Sequence, residues 1–326
     1  MSLRSKVLGV GGYLPERILT NDDLSNMVDT SDDWIRERTG ITQRHIASDD
    51  QVTSDLATEA LADALQKSGL SADDLDLIVL ATTTPDQTFP ATATAVQRKI
   101  GMTGGAAFDV QAVCSGFLFA LATADGLLRS GVFKTAAVIG AETFTRILDW
   151  SDRTTCVLFG DGAGAMVLRS EPFDPDADEP MDGVIAHHIR TDGSKSDLLH
   201  VDGGVSSTGT VGHVRMQGNR VFKHAVANIS EAVEAVLDET GVGIDAVDWF
   251  VPHQANQRIL DGVAKKLGID EARVISTVGI HGNTSAASVP LALNQALNTG
   301  KVKPGDLILS EAMGGGFSWG ASLFRL

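Results

Sequence analysis

Cys114 stands between an apolar run and a string of small residues, in Phe108-Asp109-Val110-Gln111-Ala112-Val113-Cys114-Ser115-Gly116-Phe117. The pattern reads as a strand that delivers a thiol to the start of a helix. There the positive end of the helix dipole and its unpaired N–H groups favour thiolate, the attacking form of cysteine. On this residue alone, a nucleophile and a buried structural thiol are both open. Cys156, in Thr155-Cys156-Val157-Leu158, has no such setting and reads as structural. His253, in Val251-Pro252-His253-Gln254-Ala255-Asn256, follows a buried strand. Sites in open α/β sheets gather at the carboxyl ends of strands. Asn283, in Gly282-Asn283-Thr284-Ser285-Ala286-Ala287-Ser288, either caps a helix or turns its amide N–H into a site. Gly314-Gly315-Gly316-Phe317 lets backbone approach a ligand and present oxyanion-hole donors, or forms a plain turn. His187 and His188 point apart on a strand, and no Cys, His and carboxylate cluster has ligand spacing, so no metal is expected.

These residues need elements to hold them. Leu56, Ala57, Ala60, Leu61, Ala64 and Leu65 recur at helical spacing, with Gly69 as the cap. Leu77-Ile78-Val79-Leu80-Ala81 is a short apolar run of the buried-strand kind. Helix and strand in alternation predict an α/β architecture. The pattern also repeats. Ser68–Val79 lies over Thr240–Val251 at an offset of 172 residues. Cys114 and Asn283 each open an apolar helix that closes on Gly131 and Gly300, and similar strands follow at Gly164–Arg169 and Gly320–Arg325. Two copies of one unit are therefore expected: 1–170 with the cysteine, 184–326 with His253 and Asn283. An acidic, Pro-rich linker at 171–183 would join them. Cys114 and Asn283 are expected at equivalent places, brought to one central site by pseudo-symmetry.

Composition narrows the partners. The chain has 326 residues, 43% hydrophobic, enough for a sizeable core. Lys and Arg number 26 against 42 Asp and Glu, a net charge of −16, which disfavours nucleic acid and anionic membrane. Two cysteines cannot make a disulfide framework, so a reduced, cytoplasmic setting is expected. The apolar run after Lys6 is too short for a signal-peptide core.

The motifs around Cys114, His253 and Asn283 resemble β-ketoacyl-[acyl-carrier-protein] synthase III. The resemblance extends to Asp29-Thr30-Ser31-Asp32-Asp33-Trp34-Ile35, Arg38-Thr39-Gly40-Ile41, Phe159-Gly160-Asp161-Gly162-Ala163-Gly164 and Gly314–Gly320. It implies a thiolase-type fold of five αβαβα layers and a homodimer. It implies condensation of a short acyl-CoA with malonyl-ACP, giving 3-oxoacyl-ACP, CoA and CO2 without a cofactor. Cys114 would carry the acyl group, with the backbone N–H groups of Cys114 and Gly316 holding the oxyanion. His253 and Asn283 would steady the enolate of the decarboxylated malonyl thioester. Trp34, Arg38 and Arg153 match a CoA clamp, and Phe89 matches the floor of the acyl pocket across the dimer interface, pointing to acetyl or propionyl primers. Arg258, Lys265 and Lys266, extended by Arg220 and Lys223, would dock the acidic carrier protein. A related synthase of a secondary-metabolite pathway is the alternative.

Overall fold

A computed structural model describes residues 2–174 and 182–326. The chain runs β1 (Ser2–Tyr13), β2 (Arg17–Thr20), α1 (Asn21–Ser25), α2 (Asp32–Thr39), β3 (Gln43–Ile46), α3 (Thr53–Ser68), β4 (Leu77–Ala81), α4 (Thr92–Ile100), β5 (Ala106–Val110), α5 (Gly116–Arg129), β6 (Thr135–Glu142) and β7 (Gly162–Phe173). It continues as β8 (Gly183–Thr191), β9 (Leu199–Val201), β10 (Val214–Met216), α6 (Gly218–Thr240), β11 (Trp249–Pro252), α7 (Gln257–Leu267), α8 (Val278–His281), α9 (Ser288–Asn298), β12 (Leu307–Gly314) and β13 (Ser318–Arg325).

The two main sheets repeat one another. The first has the order β1-β7-β6-β4-β5, the second β8-β13-β12-β11 read from its matching edge. In each, two pairs run antiparallel and the rest run parallel: β4 with β5 and with β6 in the first sheet, β11 with β12 in the second. Leu77 and Trp249 open β4 and β11, and Thr135 and Leu307 open β6 and β12, all at the 172-residue offset read from the sequence. The fifth strand has shrunk in the second half to a single parallel bridge between Phe250 and Val274.

Hydrophobic faces set the layering. Helices α5 and α9 are apolar almost all round, because sheets cover them on two sides. Phe117, Leu121 and Leu128 of α5 join Val289, Leu293 and Ala296 of α9 in one core between the sheets. Leu56, Leu61 and Leu65 of α3 cover the outer face of the first sheet. Val221, Ile229 and Val233 of α6, with Ile259 and Val263 of α7, cover that of the second. The result is five layers: helix, sheet, helix pair, sheet, helix. Glycine permits the closest approach. A Cβ at Gly140 on β6 would overlap the Ala286 carbonyl, so the turn before α9 sits directly on the first sheet.

Two expectations change. Strand β7 runs to Phe173, paired with β1 through Ser2, so Glu171–Phe173 belong to the first sheet. The intrinsic register of β7 against β1 outweighs the acidic, Pro-containing composition there. Residues 175–181 of the expected linker lie outside the described residues. The second correction concerns equivalence. Val113, at φ 49, and Ser285, at φ 50, are counterparts at the head of the 3-10 turns Val113–Ser115 and Ser285–Ala287. Cys114 therefore matches Ala286, and Asn283 lies three residues earlier. Helix α9 has 11 residues against 14 in α5, so matching the closing glycines shifts the start by three.

Candidate functional site

Cys114 and His253 each sit just beyond a strand of the two main sheets, and Asn283 follows α8. Cys114 follows β5 in the 3-10 turn Val113–Ser115, with α5 beginning at Gly116. The turn is held by the Ala112 carbonyl, which accepts from the Ser115 hydroxyl at 2.8 Å and from the Ser318 hydroxyl of β13 at 3.0 Å. A Cβ at Gly314 would lie 2.7 Å from the Cys114 nitrogen, so that glycine lets β12 press on the turn. His253 follows β11, and its backbone N–H donates to the Glu311 carbonyl at 2.8 Å. Gln254 staples the same loop: its amide donates to the Pro252 carbonyl and accepts from the Thr277 and Val278 N–H groups. Asn283 is tied on both sides to the 158–160 segment, donating to Leu158 O and accepting from Gly160 N.

Cys114, His253 and Asn283 line one cavity, about 90 Å³ in volume, together with Phe159, Met216 and Phe222. The Asn283 side-chain oxygen accepts from the Ser285 N–H at 2.9 Å, which leaves its NH2 group for the cavity. His253 Nδ1 lies 2.6 Å from the Ser288 hydroxyl, an oxygen that already accepts from the Gln254 N–H. Nδ1 is the acceptor at hand for the Ser288 hydrogen, an assignment that places the ring hydrogen on Nε2 as a donor. Burial pushes His253 down to about 3, so the ring is neutral. Two neutral N–H donors thus share a cavity with a thiol.

Burial acts against the thiolate form of Cys114. Burial pushes Cys114 up to about 12; a hydrogen bond with the Ser285 side chain opposes the rise, and the charge of Glu142 adds to it. Removal from water outweighs the helix end, because Cys114 is only 4% exposed and stands two residues before α5 begins. Cys156, also buried, is pushed up to about 11 and does not line the cavity of Cys114, His253 and Asn283.

A larger cavity of about 490 Å³ is lined by Thr83, Val113, Phe119, Leu199, Gly316 and Phe317. Leu199 lines both spaces, and Val113, beside Cys114, lines the larger one. Phe89 lines neither space and is 83% exposed.

The expected CoA clamp converges outside the cavity. The Arg38 guanidinium lies 4.6 Å from the Trp34 ring and that of Arg153 5.1 Å from it. Arg153 also donates to Asp29. Arg258 of α7 donates to the Glu37 carbonyl of α2, so the clamp helix and the basic helix touch. Lys265 and Lys266 are exposed in the last turn of α7, and Arg220 and Lys223 are exposed on α6, which packs beside it. Among the described residues no group of His, Cys, Asp or Glu could hold a metal ion, and no helix is long and apolar enough to cross a membrane.

Residues 108–193 match the sequence model for 3-oxoacyl-[acyl-carrier-protein] synthase III, and residues 237–326 match that for its C-terminal part. The chain is 69% identical over 326 residues to a β-ketoacyl-[acyl-carrier-protein] synthase III of Hyphomonas neptunium, covering 100% of both. It belongs to the synthase III family. The Caulobacter vibrioides synthase III is 61% identical over 99% of this chain and all of its own. The crystal structure of the Aquifex aeolicus synthase III superposes with a TM-score of 0.92 at 46% identity, over 99% of this chain and 100% of that one. The priming β-ketosynthase of the R1128 polyketide pathway superposes equally well, TM-score 0.92, at 33% identity over 100% of this chain and 97% of that one. This synthase is a condensing enzyme of fatty acid synthesis initiation with a thiolase-type fold. Ser288, Ser285 and Glu142 were not singled out from sequence. The first two sit in a run of small polar residues, and Glu142 is a carboxylate closing a strand that is otherwise apolar.

Proposed function

We propose that the enzyme transfers a short acyl group, acetyl or propionyl, from CoA to Cys114 and then to the carbanion of malonyl-ACP. Sγ attacks the thioester carbonyl, and the backbone N–H groups of Cys114 and Gly316 receive the oxyanion. Malonyl-ACP enters after CoA leaves and loses CO2. The electrons pass to its thioester oxygen, where Nε2–H of His253 and the NH2 of Asn283 donate. The carbanion attacks the acyl-Cys, giving 3-oxoacyl-ACP. Neutral donors suit this step, because a fixed cation would also hold the departing carboxylate. The chemistry calls on no cofactor.

The observation that carries the reading is the single cavity lined by Cys114, His253 and Asn283. Trp34, Arg38 and Arg153 would clamp the adenine of CoA, a role supported by their stacking geometry. Arg258, Lys265, Lys266, Arg220 and Lys223 would dock acyl carrier protein, giving an acidic enzyme a local basic face for an acidic partner. Raised ionic strength should then weaken use of ACP more than use of acyl-CoA. In a homodimer, Phe89 of the partner subunit would floor the acyl pocket; its exposure on the free chain supports this. A cytoplasmic location fits the substrates. The test is incubation with a panel of acyl-CoAs and malonyl-ACP, with mass spectrometry of Cys114 and of the product. Acyl-Cys114 and 3-oxoacyl-ACP are expected from short primers. Turnover of other acyl groups or CoA-bound acceptors would point instead to a secondary-metabolite role.

A further inference from the structure

Two turns, one from each half of the chain, carry the N–H groups assigned to the oxyanion, and one side chain bridges them. Gly315, Gly316 and Phe317 form the tip of the hairpin between β12 and β13, closed by the pair Gly314 and Ser318. The hairpin presses on the Cys114 turn: a Cβ at Gly314 would come 3.0 Å from the Ala112 oxygen and 3.1 Å from Val113 Cβ. Phe317 exchanges two backbone hydrogen bonds with Asp192, both 2.8 Å, which fixes the peptide after Gly316. The peptide before it, the one that carries the Gly316 N–H, is reached by Ser318.

Ser318 is only 4% exposed. Its Oγ lies 3.1 Å from the Gly315 carbonyl oxygen, 3.0 Å from that of Ala112 and 2.9 Å from the Ser115 hydroxyl. Ser115 already offers the Ala112 oxygen two donors, its hydroxyl at 2.8 Å and its N–H at 3.1 Å. Those match the two lone pairs of that oxygen, so Gly315 is the acceptor at hand for the Ser318 hydrogen. The Gly315–Gly316 peptide is trans. A trans peptide is planar, with C=O and N–H pointing in opposite directions. A hydroxyl on the Gly315 oxygen therefore sets where the Gly316 N–H points. It also polarises the peptide and strengthens that N–H as a donor.

We propose that Ser318 is a positioning residue for acyl transfer: its hydroxyl, set between the Gly315 and Ala112 carbonyls, aims the Gly316 N–H at the oxyanion that the Cys114 N–H also receives. This rests on the reading that those two N–H groups hold the thioester oxyanion. In this role Ser318 touches no substrate and gives up no proton. An oxyanion hole stabilises charge because its donors are in place before the charge develops. A tip with two glycines in sequence is free to turn its N–H away once nothing holds the carbonyl. The donors assigned to the enolate have separate ties: Ser288 holds the His253 ring, and the Ser285 N–H holds the Asn283 side chain. Ser318 therefore bears on the attack at the thioester and not on decarboxylation.

The test follows acyl-Cys114 formation over a range of acetyl-CoA concentrations, without malonyl-ACP, by rapid quench and mass spectrometry. Release of labelled CO2 from malonyl-ACP by enzyme acylated beforehand is read alongside. Removing an oxyanion donor outright costs about 100- to 1,000-fold; in Ser318→Ala the donor stays but loses its aim, so acylation at saturating acetyl-CoA should slow about 10- to 100-fold. The half-saturating acetyl-CoA concentration and the CO2 release should stay within about twofold of wild type. Ser318→Thr keeps the hydroxyl, and the larger cavity that Ser318 lines has room for the methyl, so this variant should recover most of the rate. Acetyl-dithio-CoA, with sulfur in place of the carbonyl oxygen, tests the hole itself. The wild type should acylate from it about tenfold more slowly than from acetyl-CoA, and Ser318→Ala should lose most of that preference. A wild type indifferent to the exchange overturns the oxyanion reading. Where the wild type discriminates, three results overturn the role of Ser318 alone: Ser318→Ala acylating at the wild-type rate, Ser318→Ala losing acylation and CO2 release alike, or Ser318→Thr as slow as Ser318→Ala.

Discussion

Ser288→Ala tests whether a single hydroxyl sets the direction of the His253 hydrogen. Ser288 heads α9, is 1% exposed, and stands 2.6 Å from Nδ1. Removing it leaves Nδ1 without a donor in a dry site. An unmade buried hydrogen bond costs about 1–3 kcal/mol. The ring can then carry its hydrogen on either nitrogen, and the Nε2 donor is lost in part. At 1.4 kcal/mol per tenfold, the penalty corresponds to a roughly 5- to 150-fold slower step. That step should be decarboxylation, where the enolate oxygen needs the donor. Thioester attack by Cys114 draws on backbone donors and should change far less. The assay compares release of labelled CO2 from malonyl-ACP by pre-acylated enzyme with the rate of acyl-Cys114 formation. Equal losses in both, or undiminished CO2 release, would refute the tautomer argument.

Three further outcomes are expected. Trp34→Ala should raise KM for acyl-CoA about tenfold and leave kcat nearly unchanged, because a stacked ring in a clamp is worth about 1–3 kcal/mol of binding; steady-state kinetics in acyl-CoA checks this. Gly140→Ala should destabilise the fold by about 1–3 kcal/mol and slow acylation, since the new methyl overlaps the backbone of the Ser285–Ala287 turn; denaturant melts and the acylation assay read the two effects. Stability should fall as pH rises above about 6.5. Glu142 and Glu311 are held up at about 7 and about 8, so the folded chain keeps protons that the unfolded chain has shed above about 4.5. His253 and His281, held down at about 3 and about 4, act with the opposite sign and lose stability below about 6.5. The two effects oppose each other between about 4.5 and 6.5 and separate outside that window. Glu311→Gln should therefore raise stability at pH 8 by up to about 4 kcal/mol and change little at pH 5, as urea midpoints at the two pH values would show.

Much of the fold was legible because buried strands and helix caps leave local marks. The Leu77–Ala81 run, the Gly69 cap and the 172-residue repeat each follow from spacing. Glu171–Phe173 misled, because strand pairing with β1 depends on a segment some 170 residues away. The Cys114 site was legible as a set of motifs. Its protonation state was not, since desolvation depends on what packs over the thiol.

The repeat explains why the chemistry divides as it does. Duplication put a turn with one left-handed residue at the same place in each half, at Val113 and at Ser285. In the first half the next residue is the thiol. In the second half the next residue is Ala286, and the residues that reach the shared cavity are its neighbours: Asn283 lines it, and Ser288 holds the His253 ring. Burial disfavours the thiolate of Cys114, and it also keeps the His253 ring neutral. Facing turns answer this, because the second half brings His253 and Asn283, with their N–H groups, to the cavity that Cys114 of the first half also lines.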